Sequence, residues 1–181
     1  SAAVLFTSGS TGPAKGVVYQ HTTFNAQIQA IQACYDIQPG EIDLPTFPLF
    51  ALFSLAMGMT AIIPDMDPSH PVKADPAGII KTIQDFGVTS TFGSPALWRR
   101  VARYGDAHNV KLPTLKRILI AGAPVPPDTL ESLRRMLSDG ADVHTPYGAT
   151  ESLPVSSISG GEVLESCAGK TRIGGGTCVG Q

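Results

Sequence analysis

Between Phe6 and Val17 the chain reads Thr7-Ser8-Gly9-Ser10-Thr11-Gly12-Pro13-Ala14-Lys15-Gly16, which sets four hydroxyl side chains and a lysine among three glycines. Glycine admits backbone conformations that turn successive N–H groups to one side, and the hydroxyls add donors. With the mobile charge of Lys15, the set suits an anion, phosphate above all. Neither common phosphate loop fits the spacing. A Walker A loop places its lysine after glycine and before Ser or Thr, whereas Lys15 stands between Ala14 and Gly16. A dinucleotide loop needs GxGxxG, and Gly9, Gly12 and Gly16 are spaced otherwise. A Ser/Gly-rich stretch is also the composition of a flexible linker. The apolar run Ala2 to Phe6 leading directly into it, and Lys15 itself, weigh for a site.

Two later segments carry compatible chemistry. Ala121-Gly122-Ala123-Pro124-Val125-Pro126 follows the apolar run Arg117 to Ile120, and Pro146-Tyr147-Gly148-Ala149-Thr150-Glu151 follows Ala141 to Thr145. Tyr147 offers a flat apolar face, Gly148 permits close backbone approach, and Glu151 is the hard oxygen ligand that magnesium prefers. Taken alone, a strand end with a capping hydroxyl accounts for the second segment equally well.

The elements that must position these segments alternate. Ala2 to Phe6 reads as a buried strand, and His21 to Tyr35 as a helix with Phe24, Ile28, Ile31 and Tyr35 on one face. Thr22 or Thr23 is its expected cap and Pro39-Gly40 its stop. Strands are expected over residues 43–50, 60–64, 88–93, 115–122 and 141–145, with helices over 54–59, 76–86, 95–104 and 127–137. The Gly- and Ser-rich residues 157–181 read as strands or turns. Alternation of this kind predicts an α/β layer fold with a mainly parallel sheet. Ligands in such sheets gather at the carboxyl ends of the strands, where all three segments fall.

The stretch from Phe6 to Val17 resembles the signature phosphate loop of the adenylate-forming superfamily, which holds the acyl-CoA synthetases, luciferases and peptide-synthetase adenylation domains. The segments at 121–126 and 147–151 resemble that family's adenine-site and Tyr-Gly-x-Thr-Glu segments, in the family's order. The resemblance implies part of a large N-terminal domain with ATP and Mg2+ as cofactors. Thr7, Ser8, Gly9, Ser10, Thr11, Gly12 and Lys15 would hold the β- and γ-phosphates. Gly122, Ala123 and Pro124, with Tyr147 and Gly148, would surround adenine, Thr150 would contact phosphate and Glu151 magnesium. Lys15, Thr150 and Glu151 are the residues so implied in catalysis, as a carboxylate attacks the α-phosphorus of ATP and pyrophosphate leaves an acyl-adenylate.

Residues 50–76 look most like the β-lactone synthetases of bacterial long-chain olefin biosynthesis, in which the substrate's own β-hydroxyl attacks the adenylate and AMP leaves. A long-chain acyl-CoA or acyl-AMP ligase is the alternative within the family, and a non-catalytic nucleotide-binding module the alternative outside it. Many relatives carry a histidine after a Pro-Leu-Phe turn; here Ala51 follows Phe50. Phe50, Ala51 and Phe53 are the expected lining of a pocket for a hydrophobic carboxylic acid. On this reading residues 1–160 are the central part of the large domain and 161–181 begin a glycine-rich strand segment. The chain is then expected to be a fragment, without the family's ribose-binding aspartate, hinge and lysine-bearing small domain. Contacts with other enzymes of the same pathway are a further expectation.

Bulk properties narrow the remaining classes. Thirteen basic and fifteen acidic residues give a net charge of −2 with no basic block, which argues against nucleic acid. No cationic leader opens the chain, and the apolar run 49–63 is interrupted and short for a membrane span. Cys34, Cys167 and Cys178 form no CxxC pair, so neither a disulfide framework nor a zinc site is expected, and a reducing cytoplasm fits best. His21 reads as a helix-start, packing or catalytic residue, His144 as structural or site-facing, and His70 and His108 as exposed.

Overall fold

The computed structural model describes residues 1–6 and 12–180. In chain order the elements are β1 (Ala3–Phe6), β2 (Gly16–Tyr19), α1 (His21–Tyr35), β3 (Ile42–Pro45), α2 (Ala51–Ala56), β4 (Thr60–Ala61), α3 (Pro76–Phe86), β5 (Ser90–Gly93) and α4 (Pro95–His108). Then follow β6 (Arg117–Ile120), α5 (Pro127–Met136), β7 (Asp142–Ala149), β8 (Ser152–Ser159), α6 (Gly160–Glu162) and α7 (Ala168–Arg172), with a π turn, Val163–Cys167, between the last two. The main sheet has the order β4-β3-β5-β6-β7-β8, parallel from β4 to β7 and antiparallel at β8. β1 and β2 form a separate antiparallel pair.

Local chemistry sets most helix limits. Asp75 caps α3 by accepting from the N–H groups of Ala77 and Gly78 at 3.1 Å each, Pro76 sits where its missing N–H costs nothing, and Gly87 ends the helix at φ 62°. Ser94, Pro95 and the left-handed Asn109 do the same for α4. The α1 helix has the expected span, His21–Tyr35, but not the expected caps. Gln20 precedes it without a side-chain bond, so neither threonine caps it, and Asp36 at φ 48° ends it ahead of Pro39-Gly40.

Helices cover both faces of the sheet, and β6 shows how. Its residues alternate: Ile118 and Ile120 join a core with Leu97, Trp98, Ile83 and Leu130 from α3, α4 and α5. Leu119 faces the other way, into a cluster with Ile31 and Tyr35 of α1 and Phe53 of α2. Each fully buried aliphatic side chain of this kind is worth about 2 kcal/mol relative to exposure. Ile83, Leu97, Trp98, Ile118 and Leu130 are wholly inaccessible.

The amino ends of the strands are tied by charge. Glu41, just ahead of β3, receives Arg117 Nη1 at 2.7 Å and Nη2 at 3.2 Å, the Thr89 hydroxyl at 2.9 Å and the Gln38 N–H at 3.0 Å. Burial alone would raise the Glu41 pKa, but these donors, Arg117 first among them, hold it below the ordinary value.

Several expected boundaries move. The strand expected over 43–50 ends at Pro45, because prolines at 45 and 48 withdraw ladder donors, and a 3-10 turn (Pro48–Phe50) follows. The helix expected at 54–59 therefore begins earlier, at Ala51. The strand expected at 60–64 shrinks to two residues, and β2 is an additional strand. Beyond β8, residues 160–172 are helical rather than strand or turn, started by Ser159 Oγ accepting from the Glu162 N–H at 3.1 Å.

Candidate active site

Four parallel strands deliver their carboxyl ends to one cleft of about 950 Å³. Thr46 and Phe47 follow β3, Gly93 and Ser94 close β5 and open α4, Ala121 to Pro124 follow β6, and β7 contributes its own outer half. Gly122, Ala123, Pro124, Tyr147, Gly148, Thr150 and Glu151 all line this space. Three segments read from sequence as strand-end motifs were expected to converge, and the structure brings two of them together here.

Gly122 takes φ 98°, a conformation costly for any side chain, and so turns the chain sharply off β6 into the exposed Ala123 and Pro124. The second motif is arranged differently from expectation. Instead of following a strand that stops at Thr145, it lies within β7, which runs on to Ala149; Thr150 and Glu151 form a two-residue turn closed by the Ala149–Ser152 pair. The ladder is irregular between Tyr147 and Ala149. A Cβ on Gly148 would lie 2.7 Å from both the Ser152 carbonyl oxygen and Leu153 Cδ1. The hairpin itself therefore demands glycine there. Tyr147, 55% exposed, presents its ring to the cleft, and Glu151 stands exposed at the turn.

Thr7, Ser8, Gly9, Ser10 and Thr11 lie outside the described residues. Gly12 and Lys15 are exposed on the segment leading into β2 and do not line the cleft.

Of the expected acyl pocket, Phe50 and Phe53 line both the cleft and a smaller cavity of about 50 Å³ behind it, while Ala51 lines neither. Phe50 stacks on Phe92 with ring centroids 4.0 Å apart, and Phe53 meets Phe24 at 4.7 Å. The small cavity also touches Asp43, whose carboxylate accepts from the Ser54 hydroxyl at 2.6 Å. Burial pushes the Asp43 pKa up to about 6, against the lowering effect of Ser54 and Ser90.

The cleft also contains residues that the motif reading passed over. Thr46, Gly93 and Ser94 were accessible to it, since the strand-end rule applies to every parallel strand. Tyr19 and Gln27 carry no such signal, and only folding brings them to the wall. Of the histidines, His21 begins α1 at the surface and His144 lies partly buried with its ring edge-on to Tyr35 at 5.3 Å. Burial lowers the His144 pKa. His70 and His108 are exposed.

Among the described residues no cluster of three or more His, Cys, Asp or Glu could hold a metal, and no helix is long and apolar enough to cross a membrane. Magnesium bound largely by substrate phosphates needs only one or two protein carboxylates. Glu151, exposed on the turn that lines the cleft, is the kind of single carboxylate such a site would use rather than part of an all-protein cage.

Over 179 residues the chain is 53% identical to the olefin β-lactone synthetase of Stenotrophomonas maltophilia, covering 99% of this chain and 32% of that protein. It is 52% identical over 180 residues to the olefin β-lactone synthetase of Xanthomonas campestris pv. campestris, with the same coverage. It thus spans about a third of the length of these curated relatives. Among solved structures, O-succinylbenzoate coenzyme A synthetase from Bacillus subtilis, in complex with ATP and magnesium ion, superposes with a TM-score of 0.73 at 24% identity, over 90% of this chain and 33% of that one. This likeness carries the α/β fold. The family model described as AMP-binding enzyme matches residues 1–177, and with the identities above it establishes that this chain belongs to the AMP-binding, adenylate-forming enzymes.

Proposed function

We propose that the chain forms the central part of the nucleotide-binding domain of an ATP-dependent, AMP-forming enzyme that activates a β-hydroxy fatty acid and closes it to a β-lactone. The carrying observation is the 53% identity to an olefin β-lactone synthetase across 99% of the chain. The convergence of residues 121–124 and 147–151 on one cleft supports it.

In this reading Tyr147 offers its exposed face to adenine, the backbone at Gly122 to Pro124 borders the base, and Thr150 donates to phosphate. Thr7 to Gly12 and Lys15 serve the β- and γ-phosphates. Glu151 would hold magnesium, which when bound neutralises charge on the phosphate oxygens. A substrate carboxylate oxygen attacks the α-phosphorus and the bond to pyrophosphate breaks. The β-hydroxyl oxygen then attacks the acyl carbon, its proton passes to solvent, and the bond to AMP breaks. The nucleophile is part of the substrate and already close, so the second step needs no coenzyme A. Phe50 and Phe53 provide apolar surface for the alkyl part.

Residues 1–160 are proposed as one part of the large domain, with 161–181 leading into its next segment. The intact protein is proposed to work in the cytoplasm, beside the other enzymes of its pathway.

The test is product analysis on the intact protein with ATP, Mg2+ and a β-hydroxy fatty acid. Release of AMP and a product lighter than the acid by one water, without coenzyme A, is expected. An acyl-CoA product that forms only when coenzyme A is added would replace the lactone step by thioester formation. No pyrophosphate from any carboxylic acid would leave a nucleotide-binding module without this chemistry.

A further inference from the structure

Tyr19 ends β2, the strand that leaves the glycine loop, yet its hydroxyl reaches across the cleft wall to the Thr150–Glu151 turn. It donates to the Thr150 carbonyl oxygen at 2.5 Å, joining residues 131 apart in sequence. Its oxygen accepts from Gln27 Nε2 of α1 at 3.1 Å. Tyr19 is 4% exposed and Gln27 8%, and all three residues line the cleft.

The direction of these bonds follows from the donor inventory. A phenol has one hydrogen, and an amide nitrogen can only donate. Gln27 Nε2 therefore occupies a lone pair on the phenolic oxygen and leaves its hydrogen for the Thr150 carbonyl. The opposite amide orientation would set two acceptors, Gln27 Oε1 and the Thr150 oxygen, competing for that single hydrogen. The observed arrangement leaves Gln27 Oε1 buried without a partner among the described residues. A leucine would fill the space without that cost, so what this position supplies is the amide N–H.

We propose that Tyr19, oriented by Gln27, is a positioning residue that holds the Thr150–Glu151 turn in register with the strand leaving the glycine loop. The inference rests on the reading of Thr150 and Glu151 as phosphate- and magnesium-facing groups. Anchoring the Thr150 carbonyl restricts the backbone of a two-residue turn, and so restricts where the Thr150 hydroxyl and the Glu151 carboxylate can point. Misplacement of reacting groups by even a small distance is costly in rate.

The experiment measures pyrophosphate release by the intact protein at varied Mg2+, together with the thermal midpoint, for Tyr19→Phe, Gln27→Leu and the double variant. Tyr19→Phe is expected to lower kcat about tenfold and to raise the Mg2+ concentration for half-maximal rate about threefold, the scale of one lost hydrogen bond. The KM for the carboxylic acid should stay unchanged. Gln27→Leu should act in the same direction more weakly, and the double variant should be no worse than Tyr19→Phe, since Gln27 acts through the phenol. A lower thermal midpoint with unchanged kcat and Mg2+ dependence overturns the proposal, as do fully additive losses. If Tyr19→Phe does not fold, Gln27→Leu alone decides it by the same Mg2+ shift. A wild-type protein that releases no pyrophosphate removes the reading of the site and this proposal with it, whereas an active wild type matched by its variants removes only the proposal.

Discussion

The two ends of the parallel sheet are built on opposite principles. At the amino ends, Glu41, Thr89 and Arg117 are drawn into one hydrogen-bonded knot, with Lys116 Nζ at 3.7 Å from Glu41 and Arg134 pairing with Asp142 at 3.0 Å. At the carboxyl ends the strands run out into Thr46, Ser94, the Gly122 turn and the exposed Tyr147 and Glu151. The polar groups of the amino end satisfy each other; at the carboxyl end Thr46 and Ser94 bond within the protein, while Tyr147 and Glu151 stand exposed to a cleft. The difference teaches where this fold keeps its stability and where it can bind. A buried carboxylate that already holds a guanidinium and a hydroxyl has no capacity left for a ligand, whereas Glu151 stands exposed on the rim of an open space.

The largest expected effect comes from breaking the closed end. Arg117→Met leaves the buried Glu41 carboxylate with Lys116 at 3.7 Å as its nearest remaining cation and should cost about 3 kcal/mol, read from the urea midpoint of the intact protein. Adding Glu41→Leu should recover most of the loss, because the cost lies in the orphaned charge rather than in the missing pair. Pyrophosphate release per folded molecule should change little in either variant; a large loss would couple the two ends and erase the contrast.

At the open end the expected pattern reverses. Glu151→Gln should lower the rate of pyrophosphate release on the order of a hundredfold while leaving the urea midpoint in place, since the side chain is exposed. A rate that persists would take magnesium away from Glu151.

Asp43 lies between the two ends and sharpens the comparison through pH. Its folded pKa is raised from 3.8 to about 6, so the folded protein holds this proton more tightly than the unfolded chain does. The associated stability is fully present below pH 3.8 and is lost as pH rises through about 6. Asp43→Asn cannot ionise, so its stability relative to wild type should improve by about 2 kcal/mol between pH 4 and pH 7. Thermal midpoints across that range check it, and a flat difference would mean that Asp43 is paired as fully as Glu41.

Much of the frame was readable before folding. The Asp75-Pro76 and Ser94-Pro95 pairs set helix starts because a capping oxygen and a proline act within one turn of chain. The acyl region was less legible. Phe47 to Phe53 form an unbroken apolar run, and periodicity alone could not divide it into a 3-10 turn and α2. Nor could it tell that Phe50 and Phe53 would reach the cavities and Ala51 would not. The helical path of residues 160–172 was missed because glycine and serine read as turn, while Ser159 supplies a cap.

By itself the sequence determined the alternation of strands and helices, the starts of α3 and α4 at Pro76 and Pro95 and the residue types at the strand ends, because each depends on neighbours a few positions away. The tertiary structure alone decided that Gly148 serves a hairpin crossing, that Glu41 finds Arg117, and that Tyr19 and Gln27 reach Thr150. Those contacts join residues far apart in the chain, and no local preference of either partner encodes which distant atom packing will set against it.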